Sequence, residues 1–187
     1  TPQVFIHRLM LRYARQGRCV ARLKGGDPCI FGRGGEEAQW LEAHGIEVEV
    51  VNGITAGLAG ATRCGIALTH RGVARGVTLI TAHTQDDSEL HWQALAQSGT
   101  TLVVYMGVAR LQQIRSGLLA GGLAPDTPVA MIENASLPQQ REVRSTLVRM
   151  HEDALASSLK SPAVLVIGEV AALSDATGAS LATRAAS

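Results

Sequence analysis

The amino-acid sequence predicts an α/β fold made of two small domains with mixed sheets. Short apolar runs of strand length alternate with stretches of helical spacing, which is typical of parallel α/β architecture. Apolar residues make up 46% of the 187 residues, enough for a sizeable core, and only 3% are aromatic. Many small residues and few rings favour close packing of helices on sheets over an all-β sandwich.

The first predicted domain covers residues 1–75, and its sheet is expected to be incomplete. The chain begins within a helix, because the apolar residues between Val4 and Ala14 follow helical spacing and stop at Gly17. The next elements are a strand at residues 19–23, a helix at 36–44 ended by Gly45, a strand at 47–51 and a Gly/Ala-rich helix at 55–64. An α/β domain normally opens with a strand, but this chain opens within a helix and has only two or three strands before the second domain. The first sheet is therefore expected to lack strands.

The second predicted domain covers residues 76–174. Its predicted strands and helices are the strands at 77–81, 101–105, 128–132, 142–147 and 162–167 and the helices at 90–97, 108–120 and 149–158. Residues 142–147 alternate charged and apolar side chains, which predicts an edge or antiparallel strand, whereas the continuous apolar run at 162–167 predicts a central strand. The polar residues 85–89 are expected in a surface loop, and residues 175–187, rich in Ala, Ser, Thr and Gly, in a disordered tail.

Composition excludes several classes of protein. The 17 basic and 16 acidic residues nearly cancel, so no general field favours nucleic acid or an anionic membrane. Cys19, Cys29 and Cys64 form no CxxC pair, which indicates a reducing, cytoplasmic setting without structural disulfides or a thiolate zinc site. No apolar run approaches the roughly 18 residues of a membrane span, and residues 1–18 are an amphipathic, Arg-bearing stretch unlike a signal peptide.

Four predicted strand ends carry candidate binding loops, since open α/β sheets bind ligands beyond the carboxyl ends of their strands. The loops lie at residues 24–28, 52–56, 105–107 and 133–135. In the first loop Gly25 and Gly26 let the backbone come close to a ligand, and Asp27 could accept hydrogen bonds from an amine or a ribose hydroxyl. Taken alone, each loop is more often an ordinary tight turn.

The common catalytic motifs are absent from the sequence. No GxGxxG follows a predicted strand, and there is neither a GxxxxGK[ST] phosphate loop nor a GxSxG nucleophile elbow. His70, His83 and His91 lack the spacing of metal ligands, so no metal site is predicted.

Five segments of the chain are distinctive: RLKGGDPCIFGRGGEE (residues 22–37), GITA (53–56), GIALTHR (65–71), YMG (105–107) and SPA (161–163). Together they resemble uroporphyrinogen-III C-methyltransferases of the tetrapyrrole methylase family. The segments follow the family's order and spacing through to about Val170. The resemblance implies the tetrapyrrole methylase fold, with a cofactor cleft between two domains, and the methylation of two carbons of uroporphyrinogen III. The product, precorrin-2, feeds the sirohaem, cobalamin or haem d1 branch.

The resemblance also implies a cofactor, a partner and a set of site residues. The cofactor is S-adenosyl-L-methionine, which leaves as S-adenosyl-L-homocysteine, and the family forms homodimers. The implied cofactor contacts are Gly25, Gly26, Asp27, Ile30, Thr55, Ala56, Met106, Ala135, Pro162 and Ala163. Arg33 and His70 are candidates for the eight substrate carboxylates, because charge-assisted pairs would suit them. A salt bridge from Arg33 to Glu36 or Glu37 is an equally good interpretation.

The sequence departs from the family at its start. The family opens with a strand and a glycine-rich loop and continues with an Asp-bearing strand and a basic loop, and the chain shows none of these before Val4. The acid or base is therefore expected in a segment before residue 1, and no catalytic residue is assigned here. Two alternatives stay open: a truncated, non-catalytic remnant that dimerises or binds cofactor, and another precorrin methyltransferase. A ribosomal-RNA methyltransferase of this fold is a weaker candidate, because the sequence shows no basic strip.

Overall fold

The computed structural model describes residues 1–83 and 90–176. These residues form two compact units, the first at Thr1–Thr55 and the second from Ala56 onward. The domain boundary that we predict between residues 75 and 76 stays a prediction. The predicted surface loop at 85–89 and nearly all of the predicted tail at 175–187 lie outside the described residues.

Two helices form the regular structure of the first unit: α1 at Gln3–Ala14 and α2 at Gly34–Glu42. Both were predicted within a few residues. Glu36 and Glu37 lie in the first turn of α2, where negative charge complements the helix dipole. Gly45 follows α2 with a φ of +77°, a left-handed conformation that glycine adopts without strain.

The two strands predicted in the first unit are wrong. Residues 19–23 and 47–51 pair with no strand among the described residues, and Cys19, predicted in a core strand, is exposed. The large side chains at their ends are also exposed: 85% for Leu23 and 74% for Val51. Apolar runs of this length indicate a strand only where a neighbouring strand completes the ladder, and these two segments do not pair with each other.

The described part of the second unit contains one five-stranded sheet and four helices. In chain order its elements are α3 (Ala56–Arg63), β1 (Val77–Thr81), α4 (Trp92–Ala96), β2 (Thr101–Tyr105), α5 (Leu111–Ala120), β3 (Pro128–Glu133), β4 (Arg141–Thr146), α6 (Met150–Ala156) and β5 (Ala163–Ile167). A 3-10 turn at Val108–Arg110 leads into α5, and a 3-10 segment, Glu169–Ala176, follows β5. Within the described residues, no helix is both long and apolar enough to cross a membrane.

The sheet is mixed, with strand order β1-β2-β5-β3-β4. Strands β1 and β2 run parallel, β5 runs antiparallel to both of its neighbours, and β4 is antiparallel to β3. The predicted central position of 162–167 and the predicted antiparallel edge position of 142–147 are therefore confirmed. All residues of β2 are buried, and the sheet packs with α5 and α6 around a core that includes Leu102, Ile114, Met131, Met150 and Leu165.

Candidate functional site

In the first unit, Asp27 ties the loop at residues 24–33 to the turn at 52–53. One carboxylate oxygen accepts the N–H of Cys29 at 2.8 Å, and the other accepts the N–H of Gly53 at 3.2 Å. The first of these bonds is typical of a turn closed by an Asp side chain. The structure therefore gives Asp27 a positioning role for the backbone in both predicted loops of this unit.

The same loop and the start of α2 are packed so tightly that Gly32 and Gly34 have no room for a side chain. The Lys24 ammonium donates to the carbonyl of Gly32 at 2.6 Å, and the N–H of Gly34 donates to the carbonyl of Pro28 at 2.8 Å. A Cβ on Gly32 or Gly34 would lie 2.7 Å or 2.5 Å from that Pro28 oxygen. Gly25, by contrast, has open space where a Cβ would stand.

A nearly buried carboxylate anchors this loop to the start of α2. The Glu37 side chain is 6% exposed and contacts Lys24 at 2.7 Å and Arg22 at 3.4 Å, while Gln3 donates to it at 2.6 Å. Burial by itself would raise the pKa of Glu37, but hydrogen bonds from Lys24 and Gln3 and the charges of Lys24 and Arg22 outweigh burial and lower the pKa. Glu37 is therefore held as a carboxylate at neutral pH.

The exposed Arg33 side chain forms the salt bridge that the sequence analysis left open. Its Nε and Nη2 groups both donate to one oxygen of Glu36, at 2.9 Å and 2.7 Å. A guanidinium carries five N–H donors, so this pair leaves the Nη1 donors for a second anion. Substrate binding by Arg33 stays a prediction.

In the second unit, the register of the sheet brings four predicted cofactor contacts to one edge of the sheet. This edge is the one at which strands end or begin, not an outer strand. Strands β2 and β3 end at this edge and β5 begins there, since Tyr105 pairs with Val164 and Glu133 with Ala163. Met106 and Ala135 follow the ends of β2 and β3, Pro162 precedes β5, and Ala163 is the first residue of β5. The N–H of Asn134 donates to the carbonyl of Pro162 at 2.9 Å, which joins two of these segments directly.

Two of the strand ends turn through a left-handed residue. Met106 after β2 has a φ of +54°, and Asn134 after β3 has a φ of +51°. Residues other than glycine adopt this region rarely, and they cluster at binding and active sites. The Met106 side chain is 50% exposed, so the strand end presents both backbone and an apolar side chain.

Helix α3 places Ala56 beside the same edge. The N–H of Gly57 donates to the Tyr105 hydroxyl at 2.9 Å, and a Cβ on Gly60 would lie 2.9 Å from the Cβ of Ala135. Thr55, the last residue of the first unit, is buried. The N-terminal turns of α3 therefore lie against the ends of β2 and β3.

A buried glutamate at this edge was missed by the sequence analysis. Glu133, the last residue of β3, is 7% exposed, and its carboxylate accepts from Arg141 and from the backbone N–H of Lys160, both at 3.3 Å. Arg141 begins β4 and Lys160 precedes β5, so one carboxylate joins three strand ends. The signal in the sequence is a lone charge at the end of an otherwise apolar strand.

His70 lies in a short loop closed by backbone hydrogen bonds. Its N–H donates to the carbonyl of Ala74, and the N–H of Ala74 donates back, both at 3.0 Å. The side chain is exposed, and its Nδ1 lies 3.0 Å from the carbonyl oxygen of Arg71. The role of His70 in substrate binding stays a prediction.

The arrangement is suited to positioning a ligand rather than to attacking one. Burial, followed by the nearby charge of Glu142, raises the pKa of the Cys64 thiol to about 12, so this thiol is no nucleophile at neutral pH. Within residues 1–83 and 90–176, no group of three or more His, Cys, Asp or Glu residues could hold a metal ion. Each unit instead holds backbone groups in fixed positions. In the first unit they belong to a cross-linked glycine loop, and in the second to three adjoining strand ends.

Comparison with known proteins identifies relatives along most of the chain. Residues 2–150 match the family model described as Tetrapyrrole (Corrin/Porphyrin) Methylases. The uroporphyrinogen-III C-methyltransferase of Pseudomonas aeruginosa is 74% identical over 170 residues, which cover 91% of this chain and 69% of that protein. The enzyme of the same name from Pseudomonas fluorescens is 65% identical over 185 residues, covering 99% of this chain and 75% of that protein.

A solved structure supports the same relationship. The uroporphyrin-III C-methyl transferase of Thermus thermophilus, in complex with S-adenyl homocysteine, superposes with a TM-score of 0.80 at 42% identity. The superposition covers 90% of this chain and 71% of that one.

Proposed function

Because the chain belongs to the tetrapyrrole (corrin/porphyrin) methylases, we propose that it is an S-adenosyl-L-methionine-dependent uroporphyrinogen-III C-methyltransferase, with precorrin-2 as its product. The observation that carries this function is the 74% identity to the Pseudomonas aeruginosa enzyme over 91% of the chain. The Thermus thermophilus relative, solved with S-adenyl homocysteine, supports the cofactor.

The described loops fit an adenosyl sulfonium cofactor. Gly25 leaves open space beside the backbone of its loop, and Met106 is half exposed at the end of β2. Both features suit a ligand held mainly by backbone groups and apolar contact. The cofactor supplies an electrophilic methyl group: a pyrrole carbon forms the new C–C bond, the C–S bond breaks with its electron pair going to sulfur, and a proton leaves the ring carbon.

The chain contributes orientation to this reaction. We expect the loop at residues 25–30 and the strand-end residues Met106, Ala135, Pro162 and Ala163 to bind the cofactor, together with Thr55 and Ala56. Holding two reactants in line supplies much of the acceleration of such a transfer. We expect the Nη1 donors of Arg33 to bind a substrate carboxylate while Glu36 keeps the guanidinium in place, and His70 to bind another. The homodimer, the cytoplasmic location and the lack of nucleic-acid partners stay predictions.

Calorimetric titration of the full-length protein with S-adenosyl-L-homocysteine tests the proposal. We expect micromolar affinity, weakened about tenfold by Asp27→Ala because two backbone N–H groups lose their acceptor. Asp126→Ala, at an exposed residue of the second unit, is the matched control and should leave the affinity unchanged. Mass spectrometry should then detect two added methyl groups on uroporphyrinogen III. A folded protein that does not bind S-adenosyl-L-homocysteine, or that transfers no methyl group to uroporphyrinogen III, would rule the function out.

A further inference from the structure

The Tyr105 side chain connects the candidate cofactor edge to helix α3. Tyr105 is the last residue of β2 and is 8% exposed. Its backbone pairs with Thr81 of β1 and Val164 of β5, and its carbonyl accepts the N–H of Ala82 at 2.9 Å. Its hydroxyl oxygen accepts the N–H of Gly57 at 2.9 Å in a buried environment. One residue is thus fixed to two strands through its backbone and to a helix through its side chain.

The hydrogen bond satisfies a specific need of α3. The first N–H groups of a helix have no partner within the helix, and Gly57 is the second residue of α3. A buried N–H without an acceptor would be costly. The Tyr105 hydroxyl supplies that acceptor from the neighbouring strand end, so the start of α3 is tied to the sheet rather than only to its own sequence.

The fit between helix and strand leaves no spare room. A Cβ on Gly57 would lie 2.4 Å from the Tyr105 hydroxyl oxygen and 2.6 Å from a methyl carbon of Val103. Real Cβ contacts are essentially never that short. One turn later, Gly60 has the Cβ of Ala135 as its close neighbour. Glycine at both positions therefore brings the backbone of α3 to its closest approach on β2 and β3.

From this geometry we propose that Tyr105 is a positioning residue for the cofactor. Its hydroxyl sets the distance between the start of α3 and the end of β2, and so places Ala56 relative to Met106. This inference rests on the proposed function, since both residues are expected cofactor contacts. Tyr105 itself is buried beneath them and acts through Gly57 and through its own peptide link to Met106.

The substitution Tyr105→Phe in the full-length protein tests the inference, because it removes only the hydroxyl. We expect the Kd for S-adenosyl-L-homocysteine and the KM for S-adenosyl-L-methionine to rise about tenfold, while kcat at saturation stays within about twofold. Amide exchange at Gly57 should quicken, while exchange in β5 stays unchanged. Gly57→Ala adds a methyl group on the helix side that displaces the Tyr105 hydroxyl, so it should raise the same Kd. It provides a second variant should Tyr105→Phe fold poorly.

The matched control is Ile167→Val, which removes one buried methyl group at the opposite end of the sheet, where Ile167 pairs with Leu102 and Val129. It should lower Tm without changing the Kd. An unchanged Kd in Tyr105→Phe, or an equal rise in Ile167→Val, would overturn the inference and leave the proposed function intact. A folded wild-type protein that binds no S-adenosyl-L-homocysteine would overturn both.

Discussion

The two units hold their candidate binding residues by different means. In the first unit, polar side chains hold the backbone. Asp27 and Lys24 cross-link one loop. At the start of α2, Glu37 accepts from Gln3, Arg22 and Lys24. In the second unit, the register of an apolar sheet places the strand ends, and Glu133 and the Tyr105 hydroxyl add single polar contacts. Both arrangements include contacts between residues far apart along the chain: the Gln3 contact with Glu37 spans 34 residues in the first unit, and the Tyr105 contact with Gly57 spans 48 in the second.

Exposed large apolar side chains are denser in the first unit than among the described residues of the larger second unit, which has seven: Leu58, Val73, Met106, Leu137, Val148, Leu155 and Leu173. Ten large apolar side chains of the first unit are exposed by more than a third: Val4, Phe5, Leu9, Tyr13, Val20, Leu23, Phe31, Val50, Val51 and Ile54. Strands β2, β3 and β5 of the second unit bury nearly every residue. Apolar burial is therefore the main stabilising term in the second unit, while charge pairs and backbone hydrogen bonds matter relatively more in the first.

The largest expected effect comes from the sheet. Leu165 lies fully buried in the central strand β5, and Leu165→Ala should lower the free energy of unfolding by about 3 kcal/mol through lost burial and a residual cavity. Leu23→Ala makes the same chemical change at an 85% exposed position of the first unit, where a change within about 0.5 kcal/mol is expected. Urea denaturation measures both. Equal losses of unfolding free energy in the two variants would contradict the proposed difference in apolar burial between the two units.

The next effect concerns the Glu37 cluster. Glu37→Gln should cost about 2 kcal/mol, because a nearly buried carboxylate loses charge-assisted hydrogen bonds from Lys24 and Gln3. Glu36→Gln is the matched control: the Glu36 side chain is 59% exposed and forms a surface salt bridge with Arg33, so a small change is expected. A loss in Glu36→Gln as large as that in Glu37→Gln would contradict the role given to burial.

The same cluster predicts a direction for the dependence of stability on pH. The folded state lowers the pKa of Glu37 below its ordinary value of 4.5, so the stabilisation is complete above that value and is lost as the pH falls through the folded-state pKa. The free energy of unfolding should therefore decline below about pH 4.5, and less steeply in Glu37→Gln than in the wild type. Identical slopes in the two proteins would count against this assignment.

The smallest expected effect on stability is at the turn held by Asp27. A Cβ on Gly53 would lie 2.2 Å from the carbonyl oxygen of Gly26, so Gly53→Ala should cost about 1 kcal/mol and weaken S-adenosyl-L-homocysteine binding several-fold. Gly35→Ala in α2, where a Cβ meets nothing within 4 Å, should leave binding unchanged and stabilise the helix slightly. Calorimetry and thermal unfolding measure the pair. Unchanged binding in Gly53→Ala would show that the turn does not shape the loop.

Much of the second unit was predictable from local pattern. The apolar runs at 77–81 and 101–105 have the bounds of β1 and β2, and the alternation at 142–147 correctly predicted an antiparallel edge. The uninterrupted apolar run before Ile167 placed β5 at the centre, since only a strand covered on both faces avoids polar residues. Each of these signals is contained within a few consecutive residues.

The rest depended on contacts between distant residues. Residues 19–23 and 47–51 have the composition of strands but no ladder partner, which composition cannot show. The Asp27 contact with Gly53 spans 26 residues and the Tyr105 contact with Gly57 spans 48. In the sequence, Gly57 and Gly60 are simply part of a predicted Gly/Ala-rich helix. Only the structure shows that they let this helix approach the ends of β2 and β3 closely.

The position of β5 has a consequence for how the chain is made. Among the residues that the structure describes, β5 is the last strand in sequence, yet it lies between the β1-β2 pair and the β3-β4 pair and is the element that joins them. During synthesis, the two pairs cannot be joined through β5 until residues 163–167 have left the exit tunnel. Sheet assembly is thus a late, long-range event of the kind that slows folding. A nascent chain stopped before Ala163 should expose the apolar faces of two unjoined strand pairs and recruit chaperones that the finished chain releases.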